Sequence, residues 1–230
     1  MAKGDRGPYS KGKARRKQIL EAALTIITVD GFDQTSLSKI SKAVGITDVG
    51  VLHYFGSMDD LMVEVLRQRD ANDMATMTSS LSNLAVQIRQ LAGNPEKSLK
   101  QMLSITARNA KTPGLVELYA YMSVKASNPK SPAYKYFKHR GGIERTMVGH
   151  AVRKLIKNDH LDIGMEPEEM ARIIQALLDG LQIQWLIDRD VDMPDLAGKA
   201  IKLMRAGGIQ SSELDTTAHN EHVPDDPTDA

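Results

Sequence analysis

From residue 14 onward the apolar positions recur three and four apart. Ile19, Leu20, Ala23, Ile26 and Ile27 make one stripe, which predicts a helix from about Ala14 to Val29, stopped by Asp30-Gly31. Phe32 is expected to plug the core between this helix and the next pair. That pair lies in Thr35 to Phe55, TSLSKISKAVGITDVGVLHYF. Leu37, Ile40, Ala43 and Val44 give one apolar face, with Thr35 as the expected N-cap. Gly45 is placed to end the helix in the left-handed conformation and reverse the chain. Thr47 with Asp48 opens a second helix that carries Val51, Leu52 and Phe55 inward. Thr47, Asp48, Gly50, His53 and Tyr54 are left for solvent or a partner. A helix, a tight glycine turn and a second helix with a small polar tip is the helix-turn-helix pattern, whose second helix enters the DNA major groove. The same spacing also fits two packed helices with no role toward DNA.

The helical pattern continues to the C-terminal region. A helix begins near Ser57 with Leu61, Met62, Val65 and Leu66, and helical character extends, with interruptions, through Leu81, Leu84, Ile88 and Leu91 to a break at Gly93-Asn94-Pro95. Further helices are predicted over about Pro95–Ala110, Leu115–Ala126 and Ala133–Asn158, the last bent at Gly141-Gly142. Pro, Gly and Asn clusters separate them. After Gly164, acids Glu166, Glu168 and Glu169 suit a helix N-terminus. The helix that follows is apolar on more than one face: Ile174, Leu177, Leu178, Leu181 and Trp185 form the main stripe, widened by Ile173, Ala176, Gly180 and Ile183. A last helix covers Pro194 to Arg205. The fold class is therefore all-α.

Composition agrees with helices, since 41% of the 230 residues are hydrophobic but only 4% aromatic. The net charge of +1 hides a polarity along the chain. Lys3, Arg6, Lys11, Lys13, Arg15, Arg16 and Lys17 crowd the start against Asp5 alone. Glu213, Asp215, Glu221, Asp225, Asp226 and Asp229 follow Arg205 with no basic residue among them. Residues 1–13 read as a flexible basic arm, either a solvated terminus or a phosphate-contacting arm using Lys11, Lys13, Arg15 and Arg16. Residues 207–230 read as a disordered acidic tail. The absence of cysteine excludes disulfides, thiolate nucleophiles and cysteine-based zinc sites. No glycine-rich phosphate loop, metal-spaced histidine pair or serine with a nearby base is present, so an enzyme is not expected and no cofactor or metal is called for. His139, His150 and His160 read as surface or capping groups, and carboxylates such as Glu168, Glu169 and Asp179 as solvated. No apolar run reaches membrane-spanning length, and the default compartment is the cytoplasm.

The segment Ala14 through Leu66, ARRKQILEAALTIITVDGFDQTSLSKISKAVGITDVGVLHYFGSMDDLMVEVL, resembles the TetR-type transcriptional regulators. Tyr54-Phe55, a small polar stretch and a helix start are its most specific part. The lead-in GPYSKGKARR and the block GLQIQWL look like an actinobacterial subset of that family. The resemblance implies a helix-turn-helix head over 14–57, a helical ligand-binding and dimerisation body over 58–206, and a homodimer that sets each recognition helix, about Thr47 to Tyr54, in a major groove of a palindromic operator. Carried over by position, Thr35 and Ser36 would sit near phosphate. Lys39 and Tyr54 would reach the DNA backbone, and Thr47, Asp48, Val49, Gly50 and His53 would face base edges. Asp48 could instead serve to cap its helix. The last two helices would pair with their copies, with Ile174, Leu177, Leu178, Leu181, Leu196 and Ile201 at the interface. A small-molecule effector would occupy the body, for which Met102, Tyr119, Met122, Tyr134, Phe137, Met147 and Trp185 are pocket candidates; each also suits plain core packing. Met58 departs from the family, which commonly has Lys there. The function implied is a repressor released by an apolar or amphipathic ligand. A ligand-independent DNA-binding dimer acting in chromosome organisation is the second reading.

Overall fold

The computed structural model of the chain describes residues 8–77, 95–159 and 164–205. Among the described residues there are nine helices and no strand: α1 (Pro8–Asp30), α2 (Leu37–Val44), α3 (Asp48–Phe55), α4 (Met58–Met77), α5 (Pro95–Asn109), α6 (Pro113–Lys125), α7 (Pro132–Asp159), α8 (Pro167–Ile187) and α9 (Met193–Arg205). The expected continuation through Leu81, Leu84, Ile88 and Leu91, and the acidic tail, lie outside these residues. No described helix is long and apolar enough to cross a membrane.

Local chemistry accounts for most helix ends. Proline stands at the first position of α1, α5, α6, α7 and α8, where its missing N–H would have had no intrahelical partner. For α1 this moves the start from the expected Ala14 to Pro8, so Lys11 and Lys13 ride on a helix instead of an extended arm. Gly12 within α1 does not stop it. The cap of α2 is Ser36, whose side chain accepts from the Lys39 N–H at 3.2 Å. Thr35, the expected cap, closes the preceding turn instead, donating its hydroxyl to the Gly31 carbonyl at 2.9 Å. Gly45 ends α2 at φ 68°, in the left-handed region where a Cβ is costly. Thr47 caps α3 through the Gly50 N–H at 3.1 Å, and Ser57 caps α4 through the Asp60 N–H at 3.0 Å. In α8, Glu166 and Glu169 form a reciprocal capping box.

The core does not divide where head and body were expected to part. Ile19, Ala23 and Ile27 of α1, Ile40 of α2, and Val51 and Phe55 of α3 belong to one buried cluster with Leu61, Val65 and Leu66 of α4. That cluster continues into Leu115, Leu118 and Met122 of α6 and Tyr136 of α7. Met58, where a lysine was expected, packs partly buried against it. Two smaller clusters fill the far side of the body. One gathers Val116, Leu181, Trp185, Met193 and Ala197; the other gathers Val152, Met170 and Ile174. The helix α7 runs unbroken through Gly141-Gly142. Gly141 is buried beneath α8, where a Cβ would come within 3.3 Å of the Gln175 side chain, so the glycine serves close helix approach and not a bend.

Candidate nucleic-acid interface

The tip of the head is set by how α3 spends its side chains. Val51 and Phe55 are buried, and Leu52 and Tyr54 half-buried. Thr47 is occupied as N-cap. Asp48 accepts the hydroxyl of buried Ser41, tying α3 to α2, so the carboxylate faces its own head and neither a base edge nor the N-cap position. Gly50 offers no side chain, and its open valence points at Thr47 and Ile46. Beyond exposed Thr47, what remains outward is Val49, 76% exposed, and His53, exposed one turn later on the same face. The N–H groups at the α3 N-terminus stand beside Val49, and a helix N-terminus favours phosphate.

The basic residues expected to contact DNA divide into two groups. Lys11 and Lys13 are exposed on α1. Arg15 donates to the Val44 carbonyl at 3.0 Å, satisfying the C-terminal end of α2. Arg16 pairs with Glu64 at 3.0 Å and lies over the Phe55 ring at 4.5 Å. Lys39 pairs with Asp30 at 2.8 Å. Arg15 and Arg16 are thus braces between helices rather than parts of a mobile arm. They stand one turn before Ile19 and Leu20 on the buried stripe of α1, which turns them onto the head.

The expected pocket residues do not share one wall. Tyr119, Met122 and Phe137 adjoin the large core, with the Tyr119 and Phe137 rings 5.1 Å apart. Trp185 belongs to the α8–α9 cluster under Arg189, whose guanidinium lies 4.0 Å from the ring centroid. Met102 packs on the third cluster. Tyr134 lies beside Lys138, and Met147 lines an open surface depression with Lys138, His139 and Ile143.

Next to Tyr119 is a polar assembly that the sequence did not reveal. Arg140 of α7 donates to Asp70 of α4 at 3.3 Å, to the Tyr119 hydroxyl at 3.1 Å and to Glu144 at 2.9 Å. Tyr136 donates to Asp70 at 2.6 Å, and Tyr119 to Asp179 of α8 at 3.1 Å. Gln175 of α8 donates to Glu144 at 3.2 Å. Beside it, buried Arg69 donates to Asn109 at 2.8 Å and to the Leu115 carbonyl at 3.3 Å, linking α4 to α5 and α6. Asp179, read as solvated, belongs to this assembly. Burial pushes the Asp179 and Glu144 carboxyls above the usual carboxylate range, against the pull of Arg140. Burial also raises the Tyr119 and Tyr136 hydroxyls. Burial opposes the charge on Arg140, but Glu144, Tyr119 and Asp70 together hold it on. One turn beyond Asp179, Gln182 donates to the Leu178 carbonyl while its Oε1 is buried without a partner.

Ile174, Leu181 and Ile201, expected between subunits, are buried within this one, and Leu177 and Leu178 are half-buried against the same clusters. Leu196 is exposed. The apolar side chains left outward are Ile173, Ile183 and Ile187 of α8, with Leu196 and Leu203 of α9. With Ala176 and Gly180 the α8 residues form a second stripe about half a turn from the first. Both stripes have helical spacing, so only the neighbours α6, α7 and α9 decide which one is covered.

Residues 19–65 match the family described as bacterial regulatory proteins, tetR family. The HTH-type transcriptional regulator PksA of Bacillus subtilis is 26% identical over 174 residues, covering 76% of this chain and 80% of that protein. The fatty acid metabolism regulator protein of the same organism is 27% identical over 75 residues, 33% of this chain, and the match spans only 39% of that protein. Among solved structures, the Thermus thermophilus FadR repressor in complex with lauroyl-CoA aligns with a TM-score of 0.59 at 17% identity, over 94% of this chain and 99% of that one. The likeness to the structure is one of fold, from head to last helix. These matches single out no actinobacterial subset.

Proposed function

We propose, from the premise that this chain belongs to the tetR family of bacterial regulatory proteins, that it is a dimeric transcriptional repressor released from its operator by an apolar or amphipathic ligand. One observation carries the DNA reading: a rigid head presents the outer side of α3, cap and tip unobstructed, while every other side of that helix is packed. The family's relation to a palindrome follows if two heads are held with half-site centres about 34–36 Å apart, or a multiple of that.

The dimer is proposed through the outward stripe Ile173, Ala176, Gly180 and Ile183 with Leu196, and not through the buried residues of the same helix. Exposed isoleucines at both ends of this stripe are costly to leave in water and suit a self-complementary helix pair.

The ligand reading rests on the body. The FadR relative in fold holds lauroyl-CoA, an amphipathic molecule. Here Tyr119, Met122 and Phe137 supply apolar surface directly beside Arg140, and Gln182 keeps an unused acceptor. Entry of a ligand requires these packed side chains to part, so the ligand selects a body geometry different from this one. The connection to the head is α4. Its first turn is held by Lys125 of α6 on Asp59, at 2.6 Å, and its middle by Tyr136 and Arg140 on Asp70. Displacing α7 or α6 therefore moves α4, and α4 follows α3 after Gly56.

Fluorescence anisotropy on duplexes from the intergenic DNA beside the gene tests this reading. Nanomolar binding by a dimer, falling steeply with added salt, is expected. Replacing Lys11 and Lys13 with alanine should weaken binding and flatten the salt slope. Dodecanoyl-CoA should be tried as the first releasing probe. Salt-independent binding, or a monomer on the duplex by light scattering, defeats the proposal.

A further inference from the structure

We propose that Val49 reads thymine methyl groups, and that the half-site bound by this chain is specified by 5-methylpyrimidines more than by hydrogen-bonded purine edges. The inference rests on α3 being the recognition helix and deepens that reading by stating which chemistry of the DNA it recognises.

Bidentate readout of guanine needs Arg or Lys, and of adenine Asn or Gln. The α3 sequence, DVGVLHYF, contains none of the four. Its one carboxylate, Asp48, could accept from cytosine, but one of its oxygens already accepts the Ser41 hydroxyl, which turns the side chain toward α2. Of the long cations on neighbouring elements, Arg15 is held on the Val44 carbonyl, Arg16 on Glu64 and Phe55, and Lys39 on Asp30; exposed Lys11, Lys13 and Lys42 lie on α1 and α2, outside the recognition helix. Thr47 is held by its capping bond to Gly50.

Against that polar poverty stands an apolar side chain held out in water at the tip. Val49 is 76% exposed, while Val51, two residues on, is fully buried. The stem of the recognition helix gives Val49 no packing partner of its own, so its apolar surface is available to a methyl group on the floor of the major groove. Thymine carries such a methyl at C5, and apolar contact with it is an established means of direct readout. His53 lies one turn further along the same face and can add a single hydrogen bond to a base edge, which discriminates less than a bidentate pair.

The size of the effect follows from burying one methyl group, about a fourfold change in affinity per contact. The test uses the full-length protein and a target duplex selected from a random pool. Each half-site thymine is replaced in turn by deoxyuridine, which removes the methyl and keeps the pairing edge. At one or two positions per half-site the dissociation constant should rise about fourfold, and at the same positions 5-methylcytosine should bind better than cytosine. Val49→Ala should bind thymine and uracil duplexes equally while keeping the thermal stability and salt dependence of the parent, since the side chain touches no core. The proposal is overturned if deoxyuridine is tolerated everywhere, or if Val49→Ala retains the preference for thymine. Failure to select any duplex overturns the DNA-binding reading itself, and this inference with it.

Discussion

Gly114 stands directly against the end of α1: a Cβ built on it would lie 2.1 Å from the Ile27 carbonyl oxygen, and 3.1 Å from both Gly31 Cα and the Phe32 nitrogen. All three are backbone atoms and cannot swing aside. The first turn of α6 is therefore wedged against the head, and the Phe32 ring meets the Tyr121 ring of the same helix at 5.2 Å. Head and body meet through backbone here as well as through α4.

Gly114→Ala is expected to push α6 away from α1. Overpacking of this kind costs about 1–3 kcal/mol, and for a chain of this size each kcal/mol lowers the melting temperature by roughly 2–4 °C. Differential scanning calorimetry measures the loss. A shift of less than about 1 °C would mean that α6 and α1 are not in contact as described.

Arg140 is the cation hydrogen-bonded to both Asp70 and Glu144. Arg140→Met leaves two partly exposed carboxylates without their cation, although Tyr136 and Gln175 still donate to them, and should destabilise by about 1–3 kcal/mol, read from urea unfolding. Arg140→Lys should recover only part, because one ammonium cannot reproduce the donors that serve Asp70, Tyr119 and Glu144 together.

The carboxyls of Asp179 and Glu144 have raised values in the folded state. For a raised acid the native state binds protons more readily than the unfolded one. Its contribution to stability therefore grows as pH falls through the folded value, and levels off below the unfolded value. Asp179→Asn removes one such group. Its melting temperature should change less steeply than the parent's between neutral pH and the ordinary carboxylate range, with no loss at neutral pH. A steeper dependence in the variant would contradict the raised value.

The two stripes of α8 can be separated by a pair of variants. Ile183→Glu, at an exposed position, should give a folded monomer by multi-angle light scattering with the melting curve shifted by subunit dissociation alone. Ile174→Ala, at a buried one, should cost about 2–5 kcal/mol of stability while any dimer persists. The opposite pattern would return the interface to the buried stripe.

What could be read without a structure was local. The helices of the head, the glycine at the end of α2 and the proline breaks of the body follow from spacings of three and four residues and from the conformational limits of Gly and Pro, which neighbouring elements scarcely alter. Even there the capping residue slipped by one position, from Thr35 to Ser36, because both hydroxyls can cap and only the turn closed by Thr35 on Gly31 distinguishes them. What required the tertiary structure was the choice among faces and the meeting of distant residues. Asp70 and Arg140 are 70 positions apart, and Tyr119 and Asp179 are 60 apart, so no periodicity connects them. Arg15 and Arg16 had the composition of a DNA-contacting arm, and only the nearness of the Val44 carbonyl and Glu64 makes them braces between helices. On α8 apolar side chains surround most of the axis, and a pattern that is hydrophobic all round carries no information about which side is inside. The order of helices along the chain is a property of local sequence, but the side that each one hides is settled by the surfaces that pack against it.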